Sequence, residues 1–414
     1  MICVKYFVML GDGMADRKNA IFNNNTPLGL AKKETMDYLM SHGYSGKVKT
    51  VPDSMVPESD TANLAVLGYD PLIYSKGRSP LEAASMGLEM SPDDYAIRCN
   101  VVTLTEDEEK YEDKIIIDHS ADEISTEEAD LLIKAVNNAL GNDNIRFHTG
   151  ISYRHCLLWK NPPGYDKDER IYDFVRPHDI LERRIGEYLP KGEIGDFYRQ
   201  LMEKSYDILN NHPVNQKRRS LGKRPANSIW LWSPGKKPML SSFTDKYNLK
   251  AAVISAVDLI KGIGICAGFE SIDVEGATGN VHTNFSGKAQ AAIDAFERGN
   301  DFVYVHVEAP DECGHRAEAE NKVKSIEYID SLILKPVKEY LDSCGDDYKI
   351  LLLPDHPTPL EIRTHSNEPV PFVIFDSRNQ TPNSGATKYD EDNCNLSGVY
   401  IDPGYTLIDK FIEK

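Results

Sequence analysis

Positive charge is in the minority in this sequence. Across 414 residues, 47 Lys and Arg stand against 65 Asp and Glu, a formal charge of -18. Such a surface repels nucleic acid and anionic membrane, which excludes both as expected partners. It repels small anions at long range as well, so any phosphate site needs local cations. Paired cysteines are missing too. The seven cysteines (Cys3, Cys99, Cys156, Cys266, Cys313, Cys344 and Cys394) are odd in number and form no CxxC pair. That argues against a disulfide scaffold and for a reduced, cytoplasmic compartment. The N-terminal apolar run, Met1 to Leu10, is far too short to span a bilayer, and no small-residue cleavage site follows it. It reads as a first strand. A GxxxxGK[ST] phosphate loop is absent, as are internal repeats and low-complexity tracts.

What is present is a chain too long for one ordinary core, so two domains are expected. Short apolar runs at Tyr6–Leu10, Ala251–Ile254, Phe302–Val307 and Ile350–Leu353 have the character of buried parallel strands. Helical patterns separate them, around Lys288–Phe296 and Ile326–Tyr340. This alternation predicts an α/β fold with a doubly wound, mostly parallel sheet. The middle differs. It is charge-rich, with helical stretches at Ser125–Leu140 and Asp196–Leu209. Loop signals surround them at Asn161-Pro162-Pro163-Gly164 and Arg176-Pro177-His178. It reads as an inserted α+β domain over 91–220, with 1–90 and 221–414 forming the discontinuous core.

Function in such a sheet collects where strands end. Three apolar runs here end in residues that bind metals. Val8-Met9-Leu10 leads to Asp12. Val303–Val307 leads to Asp311 and His315. Leu351-Leu352-Leu353 leads to Asp355, His356 and then His365. A lone Asp after a strand is usually a turn residue. Three Asp and three His on loops that the fold brings to one edge make a metal-ligating set, suited to manganese or zinc and tolerant of magnesium. Cys313, between Asp311 and His315, reads as a bystander thiol. Two divalent ions would align and neutralise a phosphoryl transfer. Ser59, after Pro57 and before the apolar Leu64, Val66 and Leu67, sits where a helix begins. It reads either as a plain N-cap or as a nucleophile activated by a metal.

The chain resembles the archaeal-type, 2,3-bisphosphoglycerate-independent phosphoglycerate mutases of the alkaline phosphatase superfamily. The resemblance rests on Gly11-Asp12-Gly13-Met14, the run Ser59 to Asp70, the run Gly77 to Ala84, Ile124 to Ala129, Gly276-Ala277-Thr278-Gly279, and the Asp311 and Asp355 segments. It implies an alkaline-phosphatase-like sheet and two divalent ions, with no bisphosphoglycerate. Manganese is the first expectation for the metal. Asp311, His315 and His365 would hold one ion; Asp12, Ser59, Asp355 and His356 would hold the other. Ser59 would carry the phosphoryl group between two positions of a small phosphorylated substrate, exchanging 2- and 3-phosphoglycerate. Asp60 beside it is a proton carrier or a helix cap. Lys261 is the expected phosphate-side cation. His119 and Arg154, in the inserted domain, are expected at the substrate.

The sequence departs from the family pattern in three places. Ser228-Ile229-Trp230-Leu231-Trp232-Ser233-Pro234-Gly235 replaces a leucine–arginine–glycine run. Arg316-Ala317-Glu318 follows His315, and Asp122 stands where glycine is expected. The tryptophan stretch resembles a proposed homoserine kinase branch of the family. This gives an alternative, a homoserine kinase-like phosphotransferase of threonine biosynthesis. A phosphatase or phosphodiesterase of the superfamily is a further one.

Overall fold

The computed structural model describes residues 4–75, 77–162, 174–380 and 385–413. Cys3 and the Pro163-Gly164 part of the loop signal lie outside the described residues. The strands in chain order are β1 (Val4–Gly11), β2 (Tyr44–Val48), β3 (Tyr95–Leu104), β4 (Ile116–Asp118), β5 (Ile145–His148), β6 (Arg154–Trp159), β7 (Ser228–Lys236), β8 (Ala251–Ile254), β9 (Glu270–Ile272), β10 (Phe302–Val307), β11 (Asp347–Leu353), β12 (Val370–Asp376) and β13 (Tyr400–Ile401). The chain forms two compact units, one of residues 1–75 with 239–414, the other of residues 76–238.

The first unit is an eight-stranded sheet in the order β13-β2-β12-β11-β1-β10-β8-β9. Only β12 runs against the rest, antiparallel to both β11 and β2. The apolar runs read from sequence are the adjacent central strands β11, β1, β10 and β8, paired in parallel. Strands buried on both faces need apolar residues at every position rather than at alternate ones. Side chains alternate between faces. Phe7 and Met9 point into a core shared with helices Glu34–His42 and Phe285–Glu297. Tyr6 points the other way and meets Phe411 of helix Leu407–Ile412 edge-on at 5.5 Å. Helices therefore cover both faces, as a doubly wound sheet requires.

The helical run at Ile326–Tyr340 is one continuous rod with a π segment at Ile329–Leu334. Pro336 has no N–H for the carbonyl four residues back. The ladder widens there, and Lys335 N–H reaches Asp330 O. The Asp330 carboxylate accepts from the N–H groups of Thr35 (3.2 Å) and Met36 (2.7 Å), which satisfies the start of helix Glu34–His42.

The second unit is an antiparallel sheet, β4-β3-β6-β5, with β7 added beside β3. Helices Thr126–Leu140 and Gly192–Leu209 contribute apolar residues to its core. Ser125 caps the first by accepting from Glu128 N–H. Sequence reading drew this unit from 91 to 220. The compact unit runs from 76 to 238 because helix Ser79–Ser85 and all of β7 pack on β3. The tryptophans of the departing stretch are core residues of β7. Trp230 Nε1–H donates to Val175 O at 2.9 Å and Trp232 Nε1–H to Asn100 Oδ1 at 3.1 Å.

Candidate active site

Because β10, β1 and β11 are neighbours and run the same way, their carboxyl ends meet at one edge. Asp12 follows β1, Asp311 lies in helix Ala309–His315 after β10, and Asp355 and His356 follow β11. All four are buried. Gly13 between them has φ of 59°, and a Cβ there would lie 2.7 Å from the Asp311 backbone. Only glycine fits so close an approach. Gly13 N–H donates to Asp355 Oδ1 at 3.1 Å. Ser59 is the first residue of helix Ser59–Val66, whose N-cap is Glu58. The N-cap reading of Ser59 is thereby corrected. Its Oγ faces His356 Nε2 at 3.2 Å instead.

Hydrogen-bond partners fix the imidazole tautomers. His365 Nδ1–H donates to Pro57 O at 2.8 Å and His315 Nδ1–H to Arg363 O at 3.0 Å. The Thr358 hydroxyl donates to Asp311 Oδ1, so it accepts from His356 Nδ1–H at 3.3 Å. Each of the three rings thus turns its Nε2 inward. His315 Nε2 and His365 Nε2 are 2.9 Å apart and lie 3.2 and 3.3 Å from the Asp311 carboxylate. His356 Nε2 lies 3.4 Å from Asp355 Oδ2 and 3.6 Å from Asp12 Oδ1. Asp12 Oδ1 itself is buried and receives no hydrogen bond from a described residue.

Converging lone pairs and carboxylates repel one another unless something positive lies among them. Without an ion, protons do that job. Burial, with Asp355, Asp311 and Glu308 close by, pushes the Asp12 carboxyl well above its usual range. The hydrogen bond to Asp311 raises His315 to about 9. Burial alone would raise Asp311, but the His315 and His365 contacts outweigh it and hold the carboxylate ionised. Three groups of ligand atoms lie within 4.8 Å of one another, Asp311–His315–His365, Asp12–Asp311–His356 and Asp12–His306–Asp355. Nitrogen and oxygen donors with Nδ1–H given away to carbonyls and a hydroxyl are what a divalent cation requires. The residues present fit two such ions.

All seven residues expected as ligands therefore come together, in one unit. Asp60, next in the helix, is buried and accepts from Ser75 Oγ at 3.2 Å. Lys261, on helix Asp258–Cys266, pairs with Asp273 at 2.8 Å and with Asp258 at 3.6 Å. His119 and Arg154 belong to the other unit, where both lie against Tyr153. The His119 ring meets it edge-on at 5.6 Å, and the Arg154 guanidinium stands 5.6 Å from its ring centre. His119 Nδ1 is buried without a hydrogen bond among the described residues. Ala121, Asp122 and Glu123 after it all have positive φ, 50°, 57° and 50°. Glycine suits such backbone best, which explains the residue expected at 122. Asp122 tolerates it, and its Oδ2 accepts Arg224 N–H at 2.7 Å.

Sequence reading missed three contributors. Asn63 Nδ2–H donates to Asp355 Oδ2 at 3.0 Å and to Ser59 O at 2.8 Å. Thr358 links Asp311 to His356. His306 Nε2 lies 3.0 Å from Asp12 Oδ2. Asn63 had a signal, since it lies four residues from Ser59 on one helix face. His306 had none, being one polar residue inside an apolar strand.

Comparison with known proteins identifies the family. A family model described as 2,3-bisphosphoglycerate-independent phosphoglycerate mutase matches residues 41–215. The chain is 44% identical to a probable 2,3-bisphosphoglycerate-independent phosphoglycerate mutase of Geobacter sulfurreducens, over 99% of this chain and 100% of that one. It is 47% identical to the 2,3-bisphosphoglycerate-independent phosphoglycerate mutase of Methanosarcina mazei, over 90% of each. Among solved structures, the PH0037 protein of Pyrococcus horikoshii superimposes with a TM-score of 0.82 at 25% identity, covering 100% of this chain and 97% of that one. The cofactor-independent phosphoglycerate mutase of Thermoplasma acidophilum gives 0.65 at 25% identity, over 99% of each. With two near-full-length relatives above 40% identity and a shared fold, the chain belongs to the archaeal-type 2,3-bisphosphoglycerate-independent phosphoglycerate mutase family.

Proposed function

We propose that this protein interconverts 2-phosphoglycerate and 3-phosphoglycerate through a phosphoserine at Ser59, with two divalent ions, manganese first among them. The supporting observation is the convergence of three carboxylates and three inward Nε2 atoms beside one serine hydroxyl. Asp311, His315 and His365 would hold one ion, and Asp12, Ser59, Asp355 and His356 the other. When bound, such ions lower the pKa of a coordinated hydroxyl and neutralise the charge of the phosphoryl group.

Ser59 Oγ attacks the phosphorus of the bound ester. The bond to the glycerate oxygen breaks, and that oxygen takes up the proton the serine gives up. The neighbouring hydroxyl of glycerate then attacks the phosphoserine and returns its proton to Ser59. We assign the proton transfers to Asp60. The helix that begins at Ser59 turns its first N–H groups toward the developing negative charge. Charge recognition of the substrate is assigned to Lys261 and, in the inserted unit, to His119 and Arg154.

The test is direct. Manganese-loaded protein given 3-phosphoglycerate is expected to produce 2-phosphoglycerate, and labelled substrate to leave label on Ser59. Ser59→Ala should lose mutase activity by about 10³-fold or more, as removal of a nucleophile does. Mutase activity that survives this change refutes the phosphoserine route. Phosphoryl transfer to homoserine with no 2-phosphoglycerate formed refutes the mutase assignment.

A further inference from the structure

A fourth imidazole lies at this edge of the sheet, and its tautomer is the reverse of the other three. His306 is fully buried in β10. Its Nδ1 meets Ser255 Oγ at 3.2 Å. Ser255 Oγ already accepts Val257 N–H at 3.0 Å, so its own hydrogen is free to donate to His306 Nδ1. A ring that accepts at Nδ1 carries its proton on Nε2. That proton points at Asp12 Oδ2, 3.0 Å away. Lys288 Nζ donates to His306 O at 2.8 Å and ties helix Phe285–Glu297 to this strand.

We propose that His306 is the positioning residue of the metal centre. It occupies Oδ2 of Asp12 with a hydrogen bond and so turns Oδ1, which receives none, toward the ion. His315, His356 and His365 give their Nδ1–H groups to the protein and their Nε2 lone pairs to the site. His306 gives its Nε2–H to a ligand. The relay is Val257 N–H to Ser255 Oγ–H, then to His306 Nδ1, and from His306 Nε2–H to Asp12. It matters because a free carboxylate can rotate or bind through either oxygen. One whose second oxygen is fixed offers a single lone pair in a set direction. Removing such a partner typically costs 10–100-fold in metal affinity. Ligand atoms of His306, Asp12 and Asp355 also lie within 4.8 Å of one another, which would suit a direct ligand role for His306. The relay opposes that role, since the atom facing them carries a proton.

The inference rests on Asp12 being a ligand, so the experiment includes a control for that reading. Metal-free full-length protein is titrated with Mn²⁺ by calorimetry, and folding is checked by circular dichroism. Wild type is expected to bind two ions. Asp12→Asn should weaken one of them; if it does not, the proposed function fails first. His306→Leu should weaken that same ion 10–100-fold and leave the ion at Asp311, His315 and His365 unchanged. His306→Gln, whose amide donates from the same place as Nε2–H, should restore most of the loss. Ser255→Ala should weaken the same ion in the same direction. A folded His306→Leu protein that binds both ions at wild-type affinity, or loses both equally, overturns the inference. So does a folded Gln variant no better than Leu. If the Leu variant does not fold, wild-type affinity in Ser255→Ala overturns it. A manganese-loaded crystal structure with His306 Nε2 bonded to the ion overturns it as well.

Discussion

Single residues hold the chemistry here, and their proton inventory is measurable. His315 sits near 9 because Asp311 holds its proton, and Asp12 is pushed upward by burial and its carboxylate neighbours. A cation entering this site must displace those protons. Manganese binding at pH 7 should therefore release at least one proton, read by calorimetry in buffers of different ionisation enthalpy. Affinity should rise with pH until His315 titrates near 9. Glu391 gives a second prediction away from the centre. Burial raises its carboxyl to about 7, even though it accepts from Thr26 Oγ1 at 2.6 Å and Asp16 N at 3.0 Å. Its folded value lies above the unfolded one of about 4.3. The neutral form thus favours the folded state below the unfolded value, and that contribution is lost as pH rises through 7. Glu391→Gln keeps the neutral form throughout. Its melting temperature should exceed wild type by more at pH 8 than at pH 5.

At the scale of elements, sequence legibility followed burial. β1, β8, β10 and β11 were readable because strands covered on both faces are apolar without interruption. β12 is just as apolar and buried, but Pro371 interrupts its run and counts against a central strand, and β13, at two residues, is too short to leave a trace. The loop after β11 shows what sequence cannot convey. Lys322, fully buried, pairs with Asp16 at 2.8 Å and donates to Thr358 O at 2.7 Å. Thr358 in turn holds Asp311 and His356, so this ion pair braces two elements of the site. Lys322→Met should cost about 3–5 kcal/mol, because it leaves Asp16 buried without its partner cation. Urea denaturation of the metal-free protein measures this. A loss under about 1 kcal/mol would show that solvent already reaches the pair.

At the scale of the whole chain, the expected ligands belong to one compact unit although they are drawn from residues 12 to 365. Manganese at a hundred times its dissociation constant should stabilise that unit by about 2.7 kcal/mol. Hydrogen exchange should show the added protection around Asp12, Asp311 and Asp355, and a chelator should remove it. Protection gained around the 76–238 core alone would contradict the assignment of the ions. The sequence by itself determined the central strands, the three acidic loop ends and the family pattern, because each is a local run of residue types set by burial or by chemistry. Only the tertiary structure decided that Ser59 faces His356 rather than capping its helix, and that His306 serves Asp12. Those facts depend on where hydrogen bonds point between residues 294 or more positions apart, and no local pattern encodes a direction.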